Sequence, residues 1–432
     1  MYLSLKDHQR EYFIKLLILC LFAYLLYWIH IPYELVSDDE VVANTISSQT
    51  IWGNFLDRWH YNGRIFTDVL ANLFYRMPLS VWKVFDIFLY VAIASLISKI
   101  FTPNAWSDLL TVCAMVLLFP MDYLDSAGYI ASSTNYVYPV ACLLCVLYLL
   151  CRIRKRERIV WLQYPLTVLC ILYLTNHDQS AMVLLGGLLL YLLYCIATKA
   201  EKAILKSTIF WFALSALCYL FMFLIPGHLY RMTDTTEMEY WFPQYADWSF
   251  FKKIYHGFST TAANFLFSEE KLFFLFALLV FLLSLSQNAR YKKGIALIPL
   301  AVMLVSHYTG TEEWIVFFPY SCGMPDLLPL SESIVPFLTA GIAVGSLFYT
   351  VWGCMKNQSR KYLTLLLLIL AAGSREMMGF SATLYASSFR TFTFFLYALL
   401  ACCLLILQEC KSQERYDLWY LGLGAVAALW IR

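Results

Sequence analysis

The chain has 432 residues, of which 61% are hydrophobic and only 14% are charged, and its formal net charge is +2. A soluble globular domain carries about 25% charged residues, so a water-soluble globule of this length could not cover its surface with so few charges. Disordered chains are excluded as well, because they are poor in apolar residues and rich in charge. The composition predicts an all-α integral membrane protein that forms a single polytopic domain over residues 1–432.

Apolar runs of roughly the length that crosses a bilayer, about 20 residues, predict about thirteen transmembrane helices. Because several runs are short, a count between about eleven and thirteen fits the sequence. The runs are centred on 13–31, 81–101, 106–120, 137–151, 159–175, 180–198, 207–225, 271–287, 294–307, 332–354, 361–375, 391–409 and 417–431. Within the single domain we expect an N-terminal module, 12–225, and a C-terminal module, 226–432.

Basic residues fall on one side of this arrangement. The connection after the fourth run contains Arg152, Arg154, Lys155, Arg156 and Arg158, and the later basic connections alternate with acidic or polar ones. The positive-inside rule places the basic connections in the cytoplasm, and it predicts a cytoplasmic N-terminus. We expect the chemistry at the outer face, where the longer loops lie: 32–80, 121–136, 226–270, 308–331 and 376–390.

The first outer loop opens with the acidic run Ser37-Asp38-Asp39-Glu40. Neighbouring carboxylates repel one another, which raises the pKa of at least one of them. Such a group could supply a general base or a divalent-cation site. The alternative is a solvated helix N-terminus, where acidic side chains favour the helix dipole.

The rest of this loop combines an amphipathic segment with an arginine. Apolar residues at helical spacing over 41–59 predict a helix that lies on the outer leaflet beside the membrane. The turn that follows contains Asn62, Gly63 and Arg64. The Arg64 guanidinium suits a phosphate, whose oxygens it can bind in pairs. Alternatively, Arg64 extends toward the lipid headgroups.

One acidic residue lies within a predicted span. Asp86 follows Lys83 by three residues, near the outer end of the run 81–101. Residues at this spacing are neighbours on a helix. We therefore expect Lys83 to neutralise Asp86.

Two later segments are rich in polar side chains. The segment 128–139 contains Tyr129, Asn135 and Tyr136 among small hydroxyl residues, a combination that binds sugar rings but also forms ordinary membrane-interface belts. The polar turn 175–179 contains His177 and Asp178, which suit either a proton relay or a short exposed hairpin.

Three further arginines depart from the positive-inside trend. Arg231 lies in the segment 226–232 with His228, and Arg375 and Arg390 flank a segment that contains Tyr385. Because basic residues on the outer side have no role in orientation, an anionic ligand is the more economical explanation for some of them.

In this order, the segments resemble a known family. The acidic pair, N-G-R, G-Y-I-A-S-S-T-N-Y-V-Y-P, N-H-D, P-G-x-x-x-R and F-S-A-T-x-Y-A-S-S-x-R-T together resemble bacterial DUF6056-type membrane proteins. These are similar to glycosyltransferases of the GT-C fold, which are polytopic enzymes that use lipid-linked sugars. The matching segments extend from about residue 37 to residue 391 and cover most of the chain.

The resemblance implies an enzyme of the bacterial cell membrane. It would move a sugar from a polyprenyl-phosphate donor to a hydroxyl of a cell-envelope glycan or glycolipid, with inversion and without a nucleotide sugar or nucleic acid partner. Asp38 is the favoured general base, and Asp39 would position the acceptor or hold a metal. Mg²⁺ or Mn²⁺ at Asp38, Asp39 and Glu40 is compatible with the family but not required by it.

The same resemblance assigns binding roles. The candidates for the donor phosphate are Arg64, Arg231, Arg375 and Arg390. The candidates for the sugar or the acceptor are Asn62, Tyr129, Asn135, Tyr136, His177, Asp178, His228 and Tyr385. The competing functions are a flippase or transporter of lipid-linked glycans, and an outer-face polymerase, ligase or acyltransferase.

Overall fold

The computed structural model describes residues 5–46, 50–267, 270–309, 330–387 and 389–412. Over these ranges the regular secondary structure is helical and includes no strand. Nearly all of the predicted outer loop 308–331 and the whole predicted span 417–431 lie outside the described residues.

The chain forms two units. The first comprises Met1–Thr235 and Ser387–Phe394, and the second comprises Thr236–Ala386 and Phe395–Arg432. The α-helices of the first unit are α1 Leu5–His30, α2 Asp38–Ile46, α3 Ile51–Tyr61, α4 Ile65–Tyr75, α5 Leu79–Phe101, α6 Trp106–Val116, α7 Tyr129–Ser132, α8 Tyr138–Arg154, α9 Gln163–Leu174, α10 Asp178–Ala197, α11 Lys202–Phe223 and α12 Pro226–Thr233. The second unit contains α13 Thr236–Trp241, α14 Phe250–Phe267, α15 Lys271–Ser284, α16 Arg290–Thr309, α17 Leu330–Cys354, α18 Gln358–Glu376 and nearly all of α19 Thr393–Ser412.

Eight helices of the described chain are long and apolar enough to cross a membrane. They are Gln9–His30, Leu79–Phe101, Tyr129–Arg154, Asp178–Ala197, Lys202–Phe223, Phe337–Cys354, Gln358–Phe380 and Phe389–Ser412. A bent pair, Trp106–Val116 and Met121–Ala127, would make a ninth span, with an angle of 42° between its parts. The prediction of a polytopic helical membrane protein is confirmed at this level.

Four of the other predicted runs do not form a single long apolar helix. The runs 159–175 and 271–287 form α9 and α15, which have only 12 and 14 residues. The run 106–120 is broken by the bend after α6. The run 294–307 lies in α16, whose apolar part is flanked by basic residues at the start of the helix and contains Pro299.

The exterior of the first unit agrees with a lipid environment. Leu17, Leu21 and Trp28 of α1 are exposed, and apolar side chains in such numbers are stable on a surface that faces lipid. Inside this unit, α8 to α11 pack through a cluster that includes Leu149 and Trp211. This packing fixes the helix ends that carry the polar segments.

The predicted Lys83–Asp86 pair is wrong. Asp86 is fully buried in α5 and its Oδ2 lies 2.9 Å from Nε2 of His30 at the end of α1. Lys83 instead donates a hydrogen bond to the carbonyl oxygen of Ile31 at 2.9 Å. The aspartate turns toward the neighbouring helix because an imidazole is there to share a proton with it.

The predicted amphipathic segment 41–59 forms parts of two helices, α2 and α3, rather than one helix. At the start of α3 the Thr50 side chain accepts a hydrogen bond from the backbone N–H of Gly53 at 2.9 Å, which is a favoured way of capping a helix N-terminus. Phe55 and Trp59 pack against a small apolar cluster, whereas Trp52 is exposed. The apolar and exposed faces of α3 agree with the predicted amphipathic character.

Candidate functional site

A cavity of about 210 Å³ in the first unit contains six of the residues that the sequence singles out. The cavity lies between the polar ends of α2, α3, α4 and the segment 127–136. The six predicted residues that line it are Asp38, Asn62, Arg64, Asn135, Tyr136 and Arg390. These residues come from four of the separate sequence motifs and meet at one place.

The two adjacent aspartates have opposite environments. Asp39 is completely buried, and its carboxylate accepts hydrogen bonds from the Tyr75 hydroxyl at 2.6 Å and from the backbone N–H groups of Ile130 and Ala131 at 2.9 and 3.0 Å. Asp38 is exposed and lines the cavity. Asp39 therefore ties α2 to α4 and α7, while the carboxylate of Asp38 remains accessible.

Gly128 makes the close approach to Asp39 possible. Its φ of +89° is in the region that L-residues with a side chain rarely adopt. A Cβ atom at this position would overlap the Asp39 carboxylate. The glycine of the G-Y-I-A-S-S segment thus lets the first N–H groups of α7 reach the buried carboxylate.

The pKa of Asp39 predicts a pH-dependent stability. Burial raises this pKa to about 6, the three hydrogen bonds oppose the rise, and the charge of Asp38 adds to it. Because the folded state holds the proton more tightly than the unfolded state, stability should fall as pH rises from about 4 to about 6. The expected change in the free energy of unfolding is about 2–3 kcal/mol.

Thermal unfolding of the full-length protein in detergent between pH 4.5 and 7.5 measures this effect. Asp39→Asn, which cannot titrate, should lack this component of the pH profile that the wild-type protein shows. Identical pH profiles for the two proteins would contradict the elevated pKa of Asp39.

The arginines around the cavity differ in the partners that they contact. Arg58 pairs with Asp68, with 3.3 Å between its Nε and the Asp68 Oδ2. Arg390 donates a hydrogen bond to the Ser126 hydroxyl at 3.1 Å. Nε of Arg64 is buried and has no hydrogen-bond partner among the described residues. Arg64 and Arg390 are thus available to an anion, because the cavity's Asp68 already has Arg58 as its partner.

The turn that carries Arg64 is held by Asn176. The Asn176 Oδ1 accepts hydrogen bonds from the N–H groups of Phe66 and Thr67 at 2.9 and 3.1 Å, and its Nδ2 donates to the Gly63 carbonyl at 2.9 Å. One amide side chain therefore caps the start of α4 and fixes the preceding turn. Arg64 is positioned by the asparagine of the N-H-D motif, to which the sequence assigns no binding role.

Gly227 packs against the same turn. A Cβ atom at Gly227 would come within 2.6 Å of the Arg58 carbonyl oxygen and of the Gly63 nitrogen. This contact brings the P-G-x-x-x-R segment to the N-G-R turn. The two motifs are separated by more than 150 residues in the chain and are neighbours in the fold.

Two histidines lie beside the arginines of these motifs. Burial, followed by the charges of Arg64 and Arg231, holds the pKa of His177 well below its ordinary value. Burial also lowers the pKa of His228; nearby Asp178 raises it, and Arg231 and Arg64 lower it further. The charges of both guanidinium groups thus add to burial in favouring the neutral form of the two rings.

These histidines have different contacts. His177 is buried, its ring meets the Tyr136 ring edge-on at 5.4 Å, and its Nδ1 has no hydrogen-bond partner in the described part of the chain. Nε2 of His228 lies 3.8 Å from Oδ1 of Asp178. Through Tyr136, which lines the cavity, His177 is linked to the candidate site.

The cavity wall contains a π-helical turn. Residues Ser133–Val137 have π-helical geometry between α7 and α8, and such turns occur frequently at functional sites. The Oγ of Ser132 and the Oδ1 of Asn135 are buried without a hydrogen-bond partner among the described residues. This wall therefore offers polar atoms to a bound hydroxyl-rich group.

Asp39, His177, Asp178, His228 and Arg231, described above, do not line the cavity themselves, and neither do three further predicted site residues. Tyr129 stacks on Tyr33, with ring centroids 3.9 Å apart. Arg375 and Tyr385 belong to the second unit. There, Arg375 is buried in α18, and the Tyr385 hydroxyl lies 2.6 Å from Nδ1 of His256.

Within the acidic run, the carboxylate of Asp39 is already engaged by the protein. Both oxygens of Asp39 accept protein hydrogen bonds, and Asp38 and Glu40 are exposed. Among the described residues, no group of three or more His, Cys, Asp or Glu side chains is placed to share a metal ion. The mechanism proposed below uses only side chains of this protein, and a divalent cation at the acidic run stays a prediction.

Other residues of the candidate site were missed for physical reasons. Tyr75, Arg58 and Asp68 line the cavity, but each lies in an ordinary amphipathic helix pattern that gives no signal of its own. Asn176 could have been found, because an amide side chain in a polar turn between two apolar helices needs buried partners.

Comparison of the chain with protein-family models, with curated proteins and with solved structures finds no match.

Proposed function

We propose that the protein is a membrane glycosyltransferase that uses a polyprenyl-phosphate-linked sugar as donor. The acceptor would be a hydroxyl of a cell-envelope glycan or glycolipid at the outer face of a bacterial cell membrane. The observation that supports this proposal most directly is the cavity that brings the exposed Asp38 carboxylate together with Arg64 and Arg390. A base and two cations in one cavity are what transfer from a sugar phosphate requires.

In the proposed reaction, Asp38 accepts the proton of the acceptor hydroxyl. The acceptor oxygen attacks the anomeric carbon while the bond from that carbon to the phosphate oxygen breaks. The electron pair of this bond leaves with the lipid phosphate, whose developing charge is stabilised by Arg64 and Arg390. Attack opposite the leaving group inverts the anomeric configuration.

Asp39 acts through its neighbours in this proposal. Its buried carboxylate holds the start of α2 against α7, and Asp38 is the residue next to it in that helix turn. Asp39 is therefore a positioning residue, and Asp38 alone takes the role of base.

The second group of charged and imidazole side chains extends the anion site. Arg231 is close enough to shift the pKa values of His177 and His228, as Arg64 does. We assign Arg231 to the donor phosphate together with Arg64, and the two neutral imidazoles, with Asp178, to hydroxyl groups of the sugar. Roles for Arg375 and Tyr385, in the second unit, stay predictions.

The cavity size favours a headgroup over a whole lipid. Pockets that enclose drug-sized ligands have volumes of about 300–1,000 Å³, and this cavity has about 210 Å³. A sugar phosphate could occupy it while the polyprenyl chain remains in the bilayer. The exposed apolar residues of α3, including Ile51 and Trp52, suit contact with that lipid layer.

The proposed orientation follows from the charges of the helix ends. The candidate site is at the start of Tyr129–Arg154, and the basic connection 152–158 is at its other end. The positive-inside rule then places the candidate site outside and the N-terminus in the cytoplasm. A GT-C-like arrangement belongs to the same proposal.

Donor binding tests the phosphate role of Arg64. Arg64→Ala should weaken binding of a polyprenyl-phosphate sugar about 10- to 100-fold, because a hydrogen-bonded contact to a charged group contributes about 1.5–3 kcal/mol. Arg64→Lys should recover part of this affinity, since it keeps the charge and loses the paired donors.

The binding is measured with the purified full-length protein in nanodiscs and a fluorescent donor. Arg10→Ala, which removes an exposed arginine in the first turn of the first candidate span, is the matched control and should bind like the wild type. Equal donor affinity in Arg64→Ala and the control would remove Arg64 from the phosphate site.

A transporter of lipid-linked glycans is the alternative that a specific observation favours. His30 and Asp86 form a buried pair between two candidate spans, and ionisable residues inside the membrane are typical of transport pathways. Movement of the labelled donor across the bilayer without sugar transfer would favour this alternative over the transferase.

A further inference from the structure

A second cavity lies at the far ends of the helices that carry the candidate site. It has a volume of about 340 Å³ and lies where α8 and α10 end and α11 begins. The side chains that matter here are those of Arg154, Tyr191, Tyr194, Lys199, Glu201 and Ile204, all of which line it. The cavity belongs entirely to the first unit.

The distance between the two cavities corresponds to a bilayer. His177 directly precedes α10, and Thr198, which lines the second cavity, directly follows it. A helix of 20 residues rises about 30 Å, which is the thickness of the hydrocarbon core of a membrane. The second cavity is therefore at the level of the lipid headgroups on the opposite membrane surface.

The charges in this cavity favour an anion. Its acidic residue, Glu201, forms an ion pair with Arg156. Arg154 and Lys199 have no carboxylate partner within the described residues, and Arg154 lies against Tyr194, donating a hydrogen bond to its hydroxyl at 3.2 Å. With Glu201 neutralised, two positive charges and a phenolic O–H remain for a ligand.

The surroundings of the cavity are apolar on the membrane side. Leu193 and Ile196, in the last turns of α10, are exposed, and Tyr191 and Ile204 form part of the cavity wall. A free anion would gain nothing from this apolar surface. A lipid would place its acyl chains along it.

We propose that this cavity binds the phosphate of an anionic phospholipid. Arg154 and Lys199 contact the phosphate oxygens, and the Tyr194 hydroxyl, which accepts from Arg154, donates its own hydrogen to the headgroup. The acyl chains lie along Leu193 and Ile196. This site is separate from the candidate active site, so the proposal does not depend on the glycosyltransferase function.

Lipid binding to the delipidated full-length protein in detergent, measured by native mass spectrometry, tests the proposal. The probes are phosphatidylglycerol, phosphatidylcholine with the same acyl chains, and inorganic phosphate. The wild type should bind phosphatidylglycerol in preference to phosphatidylcholine. The double variant Arg154→Ala with Lys199→Ala should bind phosphatidylglycerol roughly 30-fold more weakly, since each basic residue near an anionic lipid contributes about 1 kcal/mol.

The matched control removes two nearby basic charges, one from the connection after α8 and one from the start of α11. Arg158 and Lys206 are exposed and do not line the cavity, so Arg158→Ala with Lys206→Ala should keep wild-type affinity. Tyr194→Phe should lose a few-fold in affinity through one hydrogen bond. All the side chains changed in these variants are exposed, and their melting temperatures should equal that of the wild type.

Three results would overturn the proposal. An equal loss of phosphatidylglycerol in the control variant would indicate general attraction by the basic connections instead of a defined site. Equal binding of phosphatidylcholine would remove the recognition of net charge. Displacement of phosphatidylglycerol by an equal concentration of inorganic phosphate would identify a free-anion site, with no contribution from the acyl chains.

Discussion

Replacing Asp38 with Asn should lower the rate of sugar transfer by about 10²–10⁴-fold, which is the usual contribution of a general base. The amide keeps the shape of the carboxylate but cannot accept the proton of the acceptor hydroxyl. Asp38 is exposed and lines the cavity, so the substitution should leave the fold unchanged. Donor affinity should also remain, because the phosphate contacts belong to the arginines.

The measurement is the initial rate of transfer from a labelled polyprenyl-phosphate sugar in proteoliposomes, with donor binding measured in parallel. Glu34→Gln is the matched control, since Glu34 is an exposed carboxylate of the same loop and does not line the cavity. It should transfer sugar at the wild-type rate. An Asp38→Asn protein with full activity would exclude Asp38 as the base.

Asp39→Asn separates the positioning role from the chemical one. An amide in place of the buried carboxylate turns one acceptor into a donor, which then faces the N–H group of either Ile130 or Ala131, because these two donate to different oxygens. The resulting loss of melting temperature should be smaller at pH 7.5 than at pH 4.5, because ionisation of buried Asp39 already destabilises the wild-type protein at the higher pH, and activity should fall in proportion to the misfolded fraction. The folded fraction should retain the wild-type pH profile of transfer, because Asp38 is still present.

The membrane class of the protein could be predicted from its composition. A surface that faces lipid carries many apolar side chains, whereas a surface that faces water does not. The number of spans could not be predicted in this way. A run such as 271–287 looks the same in sequence whether it crosses a bilayer or packs inside a helical core, and α15, with 14 residues, is shorter than the bilayer and almost entirely buried. Whether such a run crosses the bilayer depends on the length of the helix that it forms, and this length depends on where the helix ends.

The candidate site could be predicted in part. The ordered motifs contain Asp38, Arg64 and Asn135, and the cavity brings these three together. The sequence does not show which of two adjacent aspartates is buried, because that depends on the N–H groups of α7, about 90 residues later in the chain. The link from Asn176 to Phe66 and Thr67 is equally distant. Tertiary packing, not local pattern, selects these partners.

The partners His30 and Asp86 are likewise selected by tertiary packing and not by a local sequence pattern. Their pairing leads to a prediction with a large expected effect. Nδ1 of His30 lies 2.8 Å from the carbonyl oxygen of Leu26, and a carbonyl can only accept, so this nitrogen carries a hydrogen. Nε2 lies 2.9 Å from Oδ2 of Asp86, which requires another hydrogen between them. The pair therefore holds one shared proton and is neutral as a whole.

Removing either partner should destabilise the protein strongly. His30→Leu leaves a buried carboxyl without its partner, and Asp86→Val leaves a buried imidazole without its acceptor, since both residues are almost wholly inaccessible. Each change should lower the free energy of unfolding by about 3–5 kcal/mol. Denaturation of the full-length protein with dodecyl sulfate in mixed micelles measures this.

The double variant, His30→Leu with Asp86→Val, should recover most of the lost stability, because replacing a whole buried pair with apolar residues of similar volume is often neutral. Additive losses in the double variant would show that the two side chains do not depend on each other. Since we expect the double variant to fold, it also discriminates between the two functions. A glycosyltransferase that uses Asp38 should keep its transfer rate in this variant, whereas a transporter that moves a proton through His30 and Asp86 should lose transport although the protein remains folded.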